Sequence, residues 1–446
     1  MGINRFFLRA TMMERFKQSK YPGDCSAATH MTKDLPADAE GVCLHGYLVE
    51  LEGDKGVLLD AHGKVDFTAQ IRAGRPQIGD IVELHGRVCR GVLLVDKVIS
   101  LVKVQLRPWE LGGDWQRFNR VGGALRQNML LRDAVLKAIR NFFADRGFLE
   151  VETPTLVRAP GQEVQLEVFE TKAEVGERFY LATSPEHHMK RLLGSGFDKI
   201  FQICKSYRKE ESSKIHNPEF TMLEWYRAYA NYEEIIEDLE NLVSHLGQTL
   251  VGGTKIAYRG TSIELKPPWR RLTLHQAFNL YADLDLDACK SRDEFYQRAS
   301  SLGFGSVNRE DSWEEIFFKV LLEKVEPALG VGPVFLKDYP SRLAALAKLK
   351  ENNTAVAERV EAYVAGLELA NGFTELNDPR EQRLRFMEER RQRRELGLPI
   401  HPLDEEFLSM LQQGMPPAGG IAVGLDRLLM LFADAASIDE VIAFPL

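Results

Sequence analysis

From Gly41 onward, apolar and polar residues alternate in five short runs: Val42–Leu51, Gly56–Asp60, Lys64–Ile71, Ile81–Cys89 and Val92–Val104. Period two, broken at Gly53-Asp54, His62-Gly63 and Gly79-Asp80, predicts strands joined by tight turns. Five such strands within about sixty-five residues suit a small all-β barrel over 38–104. Residues 1–37 show no period and read as a mobile tail. Residues 105–127, with Pro108, Gly112-Gly113 and Gly122-Gly123, read as a connector.

The period then becomes helical. Leu131, Val135, Ala138, Ile139 and Phe142 form one apolar stripe, and Gly147 is placed to end that helix. Residues 148–154 predict a strand stopped by Pro154. Ser184 and Pro185 predict the N-cap and first position of another helix, and residues 233–330 read as mainly helical.

The stretch from Phe201 to Tyr226 reads as two strands joined by a polar loop. Alternation puts Gln202, Ser206 and Arg208 on one face, with Phe220, Met222, Glu224 and Tyr226 on the matching face of the second strand. Phe201, Ile203, Leu223 and Trp225 line the other face, as in central strands covered by helices. Near the end, Gly420, Ala422 and Gly424 share one face of a strand that is almost bare backbone, against which a ligand can lie flat. Asp426 is expected to cap the next helix, with Arg427 in its first turn at the positive end of the dipole, where an anion belongs.

Composition narrows the classes. With 446 residues and 44% hydrophobic content there is room for two or three domains with a sizeable core. The longest apolar runs, such as Leu428–Ala433, cannot span a bilayer, and Met1–Met12 lacks the apolar centre of a signal peptide, so a cytoplasmic location is expected. Cys25, Cys43, Cys89, Cys204 and Cys289 form no Cys-x-x-Cys pair, so neither a disulfide framework nor a zinc ribbon is indicated. The net charge of −8 gives no general attraction to phosphate backbones. Between Gly41 and Val104, eight Lys/Arg balance eight Asp/Glu, and Tyr47 and Phe67 are the aromatics. A nucleic-acid groove wants more of both, which favours a docking or stabilising barrel.

Glu368, Asn371 and Glu375 fall in one segment, and two carboxylates so close call for a divalent metal or a substrate ammonium. Two other patterns carry little chemistry. Asp283, Asp285, Asp287 and Glu294 imitate a calcium loop, but Ala288 stands where that loop needs glycine. The run Arg390–Arg394 lies among Glu388, Glu389 and Glu395 and reads as an exposed helix with pairs such as Glu389 with Arg393.

Arg208 followed by Glu210, the loop ending Asn217-Pro-Glu-Phe220, and Met222-Leu-Glu-Trp-Tyr226 resemble the second signature of class II aminoacyl-tRNA synthetases in its lysine form. The helix and strand before Pro154 resemble the first signature, and Gly419–Phe432 the third. Thr183–Leu193, Ile203–Ser206 and Ile421–Arg427 are similar to the elongation factor P–(R)-β-lysine ligase family, paralogues of lysyl-tRNA synthetase. The resemblance spans roughly residues 120–446. It implies an α+β fold, a class II antiparallel sheet flanked by helices over 128–446, preceded by an OB-like barrel, and a homodimer. It implies ATP and Mg2+ as cofactors and formation of an aminoacyl-adenylate of (R)-β-lysine or lysine, with transfer to a lysine of elongation factor P.

By the same resemblance, Arg208 and Arg427 would be catalytic, on the α- and γ-phosphates. Lys209, Glu210, Asn217 and Phe220 would contact ATP, as would Glu368, Leu369 and Gly424. Ser184, Pro185, Glu186 and Tyr226 would face the amino acid together with Asn371, Glu375 and Ala422, and Glu368 and Glu375 would serve the metal. Ala422 and Ser184 stand where lysyl-tRNA synthetases have glycine and alanine, which favours (R)-β-lysine. Lys209 replaces a usual asparagine. The added barrel keeps lysyl-tRNA synthetase, with tRNA as partner, as the alternative. A non-catalytic amino-acid sensor is a third reading.

Overall fold

The computed structural model describes residues 28, 30, 32, 35–60, 63–69, 76–103, 117–118, 124–172, 176–209 and 212–446. Most of the expected tail, most of the expected connector and Glu210 lie outside the described residues; at the end of that tail Thr32 donates to the Asp60 carboxylate through its amide and its hydroxyl, and Leu35 packs against the barrel core, so this part is held to the barrel. The chain divides into two compact units, Met1–Gly123 and Ala124–Leu446. No helix among the described residues is long and apolar enough to cross a membrane.

In the first unit β1 (Ala39–Glu52), β2 (Lys55–Leu59), β3 (Lys64–Ala69), β4 (Ile81–Cys89) and β5 (Val92–Val102) close into a barrel of order β1-β2-β3-β5-β4. All ladders are antiparallel except β3 with β5. The alternating residues Val42, Leu44, Leu48, Val82, Leu84 and Val95 fill the interior. Phe67 is buried among them, which leaves Tyr47 as the exposed aromatic of the described barrel.

In the second unit the helix Leu125–Ala144 starts earlier than its apolar stripe, taking in the end of the expected connector because Leu125 and Asn128 are also buried. Gly147, at φ +74°, turns the chain beyond it. The strand expected over 148–154 shrinks to β6 (Leu149–Glu150), which pairs in parallel with two residues of a later strand; the rest runs without a ladder.

A three-stranded sheet follows, of β7 (Leu156–Val157), β8 (Glu170–Lys172) and β9 (Arg178–Leu181). The hairpin then appears as β10 (Lys199–Tyr207) and β11 (Glu219–Ala228). Within 233–330 the expected helices are interrupted by β12 (Lys255–Tyr258), β13 (Thr261–Glu264) and β14 (Arg270–Thr273), where Ile256, Tyr258 and Ile263 alternate into the core. The strands β15 (Val334–Pro340), β16 (Leu349–Lys350), β17 (Asn353–Val364), β18 (Leu367–Thr374) and β19 (Ala418–Gly424) complete a nine-stranded sheet. Its order is β14-β15-β17-β18-β19-β11-β10-β6, with β16 on β17.

One face of this sheet, with Phe201, Leu223, Trp225, Ile421 and Val423, packs on the helices Leu125–Ala144, Tyr232–Val251 and Leu425–Ala433. That layer is mostly apolar, with Asn128 and Glu240 among the buried polar exceptions from the helices, and polar residues of the strands such as Gln202 and Glu224 fall on the opposite face.

Candidate active site

Register aligns the polar face. Gln202 stands opposite Glu224, Glu224 opposite Ala422, Ala422 opposite Asn371, and Asn371 opposite Glu361, a row across five strands. The next row places Tyr226 opposite Gly420 and Gly420 opposite Phe373. A Cβ on Gly420 would come within 2.3 Å of Glu375 Oε1 and 2.4 Å of the Tyr226 ring, so the bare strand is what lets those two side chains lie on the sheet. Gly424 differs: the nearest protein atom to a Cβ there is 3.7 Å away. Its bareness leaves backbone open to the cleft.

That cleft holds about 780 Å³ counted to its open mouth, within the range of small-molecule sites. Arg208, Asn217, Phe220, Glu368, Leu369, Asn371, Ala422, Gly424 and Arg427 all line it. Arg208 lies 5.3 Å from the Phe220 ring centroid, and its buried Nε has no protein partner. Asn371 Oδ1 is likewise buried without one. Arg427 donates to Glu368 O at 2.8 Å and Ile215 O at 3.3 Å, and its Nη2 lies 2.6 Å from His216 Nε2. Asn217 is engaged by backbone, donating to Glu219 O at 2.6 Å and accepting from Leu446 N at 2.9 Å. Lys209 is mostly exposed and lies 3.8 Å from Glu167.

The second part of the site is an acidic nest. The helix Glu186–Gly194 begins one residue later than expected, and the Ser184 hydroxyl accepts the Glu186 amide at 3.0 Å beside Pro185. Lys190, fully buried one turn on, reaches Glu186 Oε1 at 2.5 Å and forms an ion pair with Glu375. Burial alone would lower the Lys190 pKa, but Glu186 and Glu375 outweigh it and hold the ammonium charged. Tyr226 donates to Glu224 Oε2 at 2.8 Å. Burial, then the Glu186 charge, push the Glu224 carboxyl up to about 8 against hydrogen bonds from Tyr226 and Ser184. Burial also raises Glu375, opposed by Lys190 and reinforced by Glu186. Glu186 and Glu375 therefore share one internal cation, with Glu224 as a third acidic group beside them.

Glu368 and Glu375 occupy different surroundings. Burial and then Glu361 raise the Glu368 pKa, while Arg427, Arg359 and Arg208 lower it. Glu361 is the neighbour that the sequence reading missed, and β17 alternation is the signal that would have found it. Asp426 does not cap the helix Leu425–Ala433, whose N-cap position is Gly424, with no side-chain cap. Its carboxylate instead accepts from Arg132 Nη1 at 2.6 Å and Thr221 N at 2.7 Å, because helical backbone begins before it and turns it into the core.

The run Arg390–Arg394 is helical, but Arg393 is buried. It donates to the carbonyls of Glu163 at 2.9 Å and Pro399 at 2.8 Å instead of pairing with Glu389. The calcium-like segment is occupied otherwise: Asp285 caps a short turn and Glu294 completes a capping box with Ser291.

A mainly antiparallel sheet thus carries, on one face, two arginines in a cleft, a bare glycine strand and an acidic nest. Residues 118–446 match the family of tRNA synthetases class II (D, K and N), and the chain belongs to it. The lysine–tRNA ligase of Pelotomaculum thermopropionicum is 37% identical over 391 residues, covering 84% of this chain and 77% of that protein. That of Moorella thermoacetica is 37% identical over 442 residues, covering 89% of each. That of Thermoanaerobacter pseudethanolicus is 34% identical over 453 residues, covering 94% of this chain and 90% of that protein.

Proposed function

We propose that this chain activates lysine with ATP as an aminoacyl-adenylate and transfers it to an acceptor. The observation that carries this reading is the nest of Glu186, Glu224 and Glu375 around Lys190, whose remaining negative charge asks for a substrate ammonium. The orphaned Nε of Arg208 and the anion-favouring position of Arg427 fit a triphosphate, and Phe220 fits an adenine face. Bound ATP supplies an electrophilic α-phosphorus and magnesium offsets phosphate charge. Arg208 would hold the α-phosphate and Arg427 the γ-phosphate, while Glu368, with Glu361 beside it, would hold the metal. Glu375, being tied to Lys190, is left to the amino acid. No general base is needed, because the attacking carboxylate is already ionised.

Lysine tRNA is the first reading of the acceptor, supported by the three relatives named above, each a lysine–tRNA ligase by name. A second reading, (R)-β-lysine placed on elongation factor P, rests on two pocket residues. The methyl of Ala422 stands directly beside Glu224, and the Ser184 hydroxyl lowers the Glu224 pKa and so lies close to it. A methyl there crowds an α-amino group, and a hydroxyl there receives an amine moved by one carbon. The single exposed aromatic of the described barrel gives an anticodon little to stack on. A homodimer belongs to either reading, supported by exposed Leu130, Leu149 and Leu156 in and after the first helix.

The deciding experiment supplies radiolabelled α-lysine or (R)-β-lysine, with ATP and magnesium, to lysine tRNA and to elongation factor P side by side. Label on tRNA supports the first reading and label on the protein the second. No transfer together with no pyrophosphate exchange rejects activation altogether and favours a sensor.

A further inference from the structure

We propose that the barrel carries a zinc-class divalent metal site formed by Cys43 and His45 of β1 with Glu83 and His85 of β4. The ladder sets Cys43 opposite His85 and His45 opposite Glu83, so Cys-x-His and Glu-x-His make a square of four donors on one face. The residues between them, Leu44 and Leu84, point into the barrel core and fix that face outward.

Three donors converge, Cys43, His45 and Glu83, and His85 joins them through the other oxygen of Glu83. His45 Nε2 lies 2.7 Å from Glu83 Oε2, and His85 Nε2 lies 2.5 Å from Glu83 Oε1. Cys43 Sγ lies 3.9 Å from His45 Nε2, and Cys43, His45 and Glu83 each offer one donor within 4.8 Å of the others. Cys43 and Glu83 are 3% and 1% exposed, whereas both imidazoles are about one-third open, giving a closed floor and an accessible mouth. Zinc bonds of about 2.0–2.3 Å in a tetrahedron place donors about 3.4–3.7 Å apart. The nitrogen–oxygen pairs, at hydrogen-bond distances of 2.7 and 2.5 Å, would open by about 1 Å to admit the ion.

The donor set chooses the metal. A thiolate and two imidazoles suit zinc and are wrong for magnesium or calcium, which take oxygen shells. A Cys43 thiolate and a Glu83 carboxylate neutralise one dication, so the buried site closes without net charge. On binding, the Cys43 S–H bond breaks and its proton leaves to solvent. Each imidazole keeps one proton, moved to Nδ1, and gives its Nε2 lone pair to the metal. The result ties β1 to β4 in a domain whose described residues form a small apolar core, a size at which a metal staple contributes substantially.

The test is cobalt titration of the full chain after chelator treatment, with excess magnesium present to occupy hard-cation sites. One equivalent of Co2+ should bring up a thiolate-to-cobalt charge-transfer band and tetrahedral d–d bands, both removed by Zn2+. Cys43→Ser should abolish the charge-transfer band and Glu83→Gln should weaken uptake, with the far-ultraviolet circular dichroism of each variant unchanged. Cys289→Ser, in the other unit, should leave the band intact. No thiolate band in the parent chain, or the same band in Cys43→Ser, overturns the site and leaves a hydrogen-bonded His–Glu–His network alone.

Discussion

Lys190 and Glu375 form a buried ion pair although 185 positions separate them in the chain, and it sits on the floor of the acidic nest. Removing one member of such a pair costs about 3–5 kcal/mol, because the partner charge stays buried without compensation. Lys190→Met should therefore lower the urea midpoint sharply, and adding Glu375→Gln should restore part of the loss. A single variant as stable as the parent would mean that the ammonium is not needed to hold the nest.

Arg208 makes few contacts with the fold: its backbone amide donates to Pro218 O, its guanidinium lies over the Phe220 ring, and its charge acts on Glu368. Arg208→Ala should leave the melting temperature nearly unchanged and lower lysine-dependent pyrophosphate exchange by roughly 10²–10³, the usual worth of one electrostatic contact to a transition state. Equal loss of stability and exchange would place Arg208 in the scaffold.

Ala422 faces Glu224 across the β11–β19 ladder. Ala422→Gly should raise the use of α-lysine relative to (R)-β-lysine by about ten-fold or more, in line with about 1–3 kcal/mol for one methyl group in a close pocket. Exchange assays with both amino acids read the ratio directly, and an unchanged ratio would sink the pocket argument.

The Glu224 carboxyl stands near 8, above its ordinary 4.5. A carboxyl raised in this way favours folding fully at low pH, and that contribution is lost as pH climbs from about 4.5 through about 8. Glu224→Gln should accordingly flatten the fall of stability across that window. Lysine binding should show the opposite dependence, tightening and releasing a proton as pH rises toward 8, because the ammonium favours the ionised carboxylate. Calorimetry in buffers of different ionisation enthalpy measures the proton release, and the variant should lose it.

Much of the site was legible in the sequence because it is carried by strands. Period-two alternation alone put Gln202 and Glu224 on one face and Phe201 and Trp225 on the other, and the ladder keeps both assignments. The same rule found the bare face of Gly420, Ala422 and Gly424. Helix ends were less legible: Asp426 has the composition of a cap, yet helical backbone starts a residue earlier and its carboxylate goes to Arg132.

Local pattern determined the barrel strands, the central hairpin and the faces their residues take, since side-chain direction follows from backbone geometry over a few residues, while the class of chemistry came from the resemblance of the ordered motifs to a known family. Tertiary structure alone decided which charges meet. Lys190 reads as an ordinary helix lysine, Arg393 as part of a solvated run, and Cys43 and His85 as unrelated residues, until register and packing bring distant segments together. A buried charge takes its partner from whatever lies within a few ångströms, and in this chain those neighbours come from strands and helices dozens to hundreds of residues away.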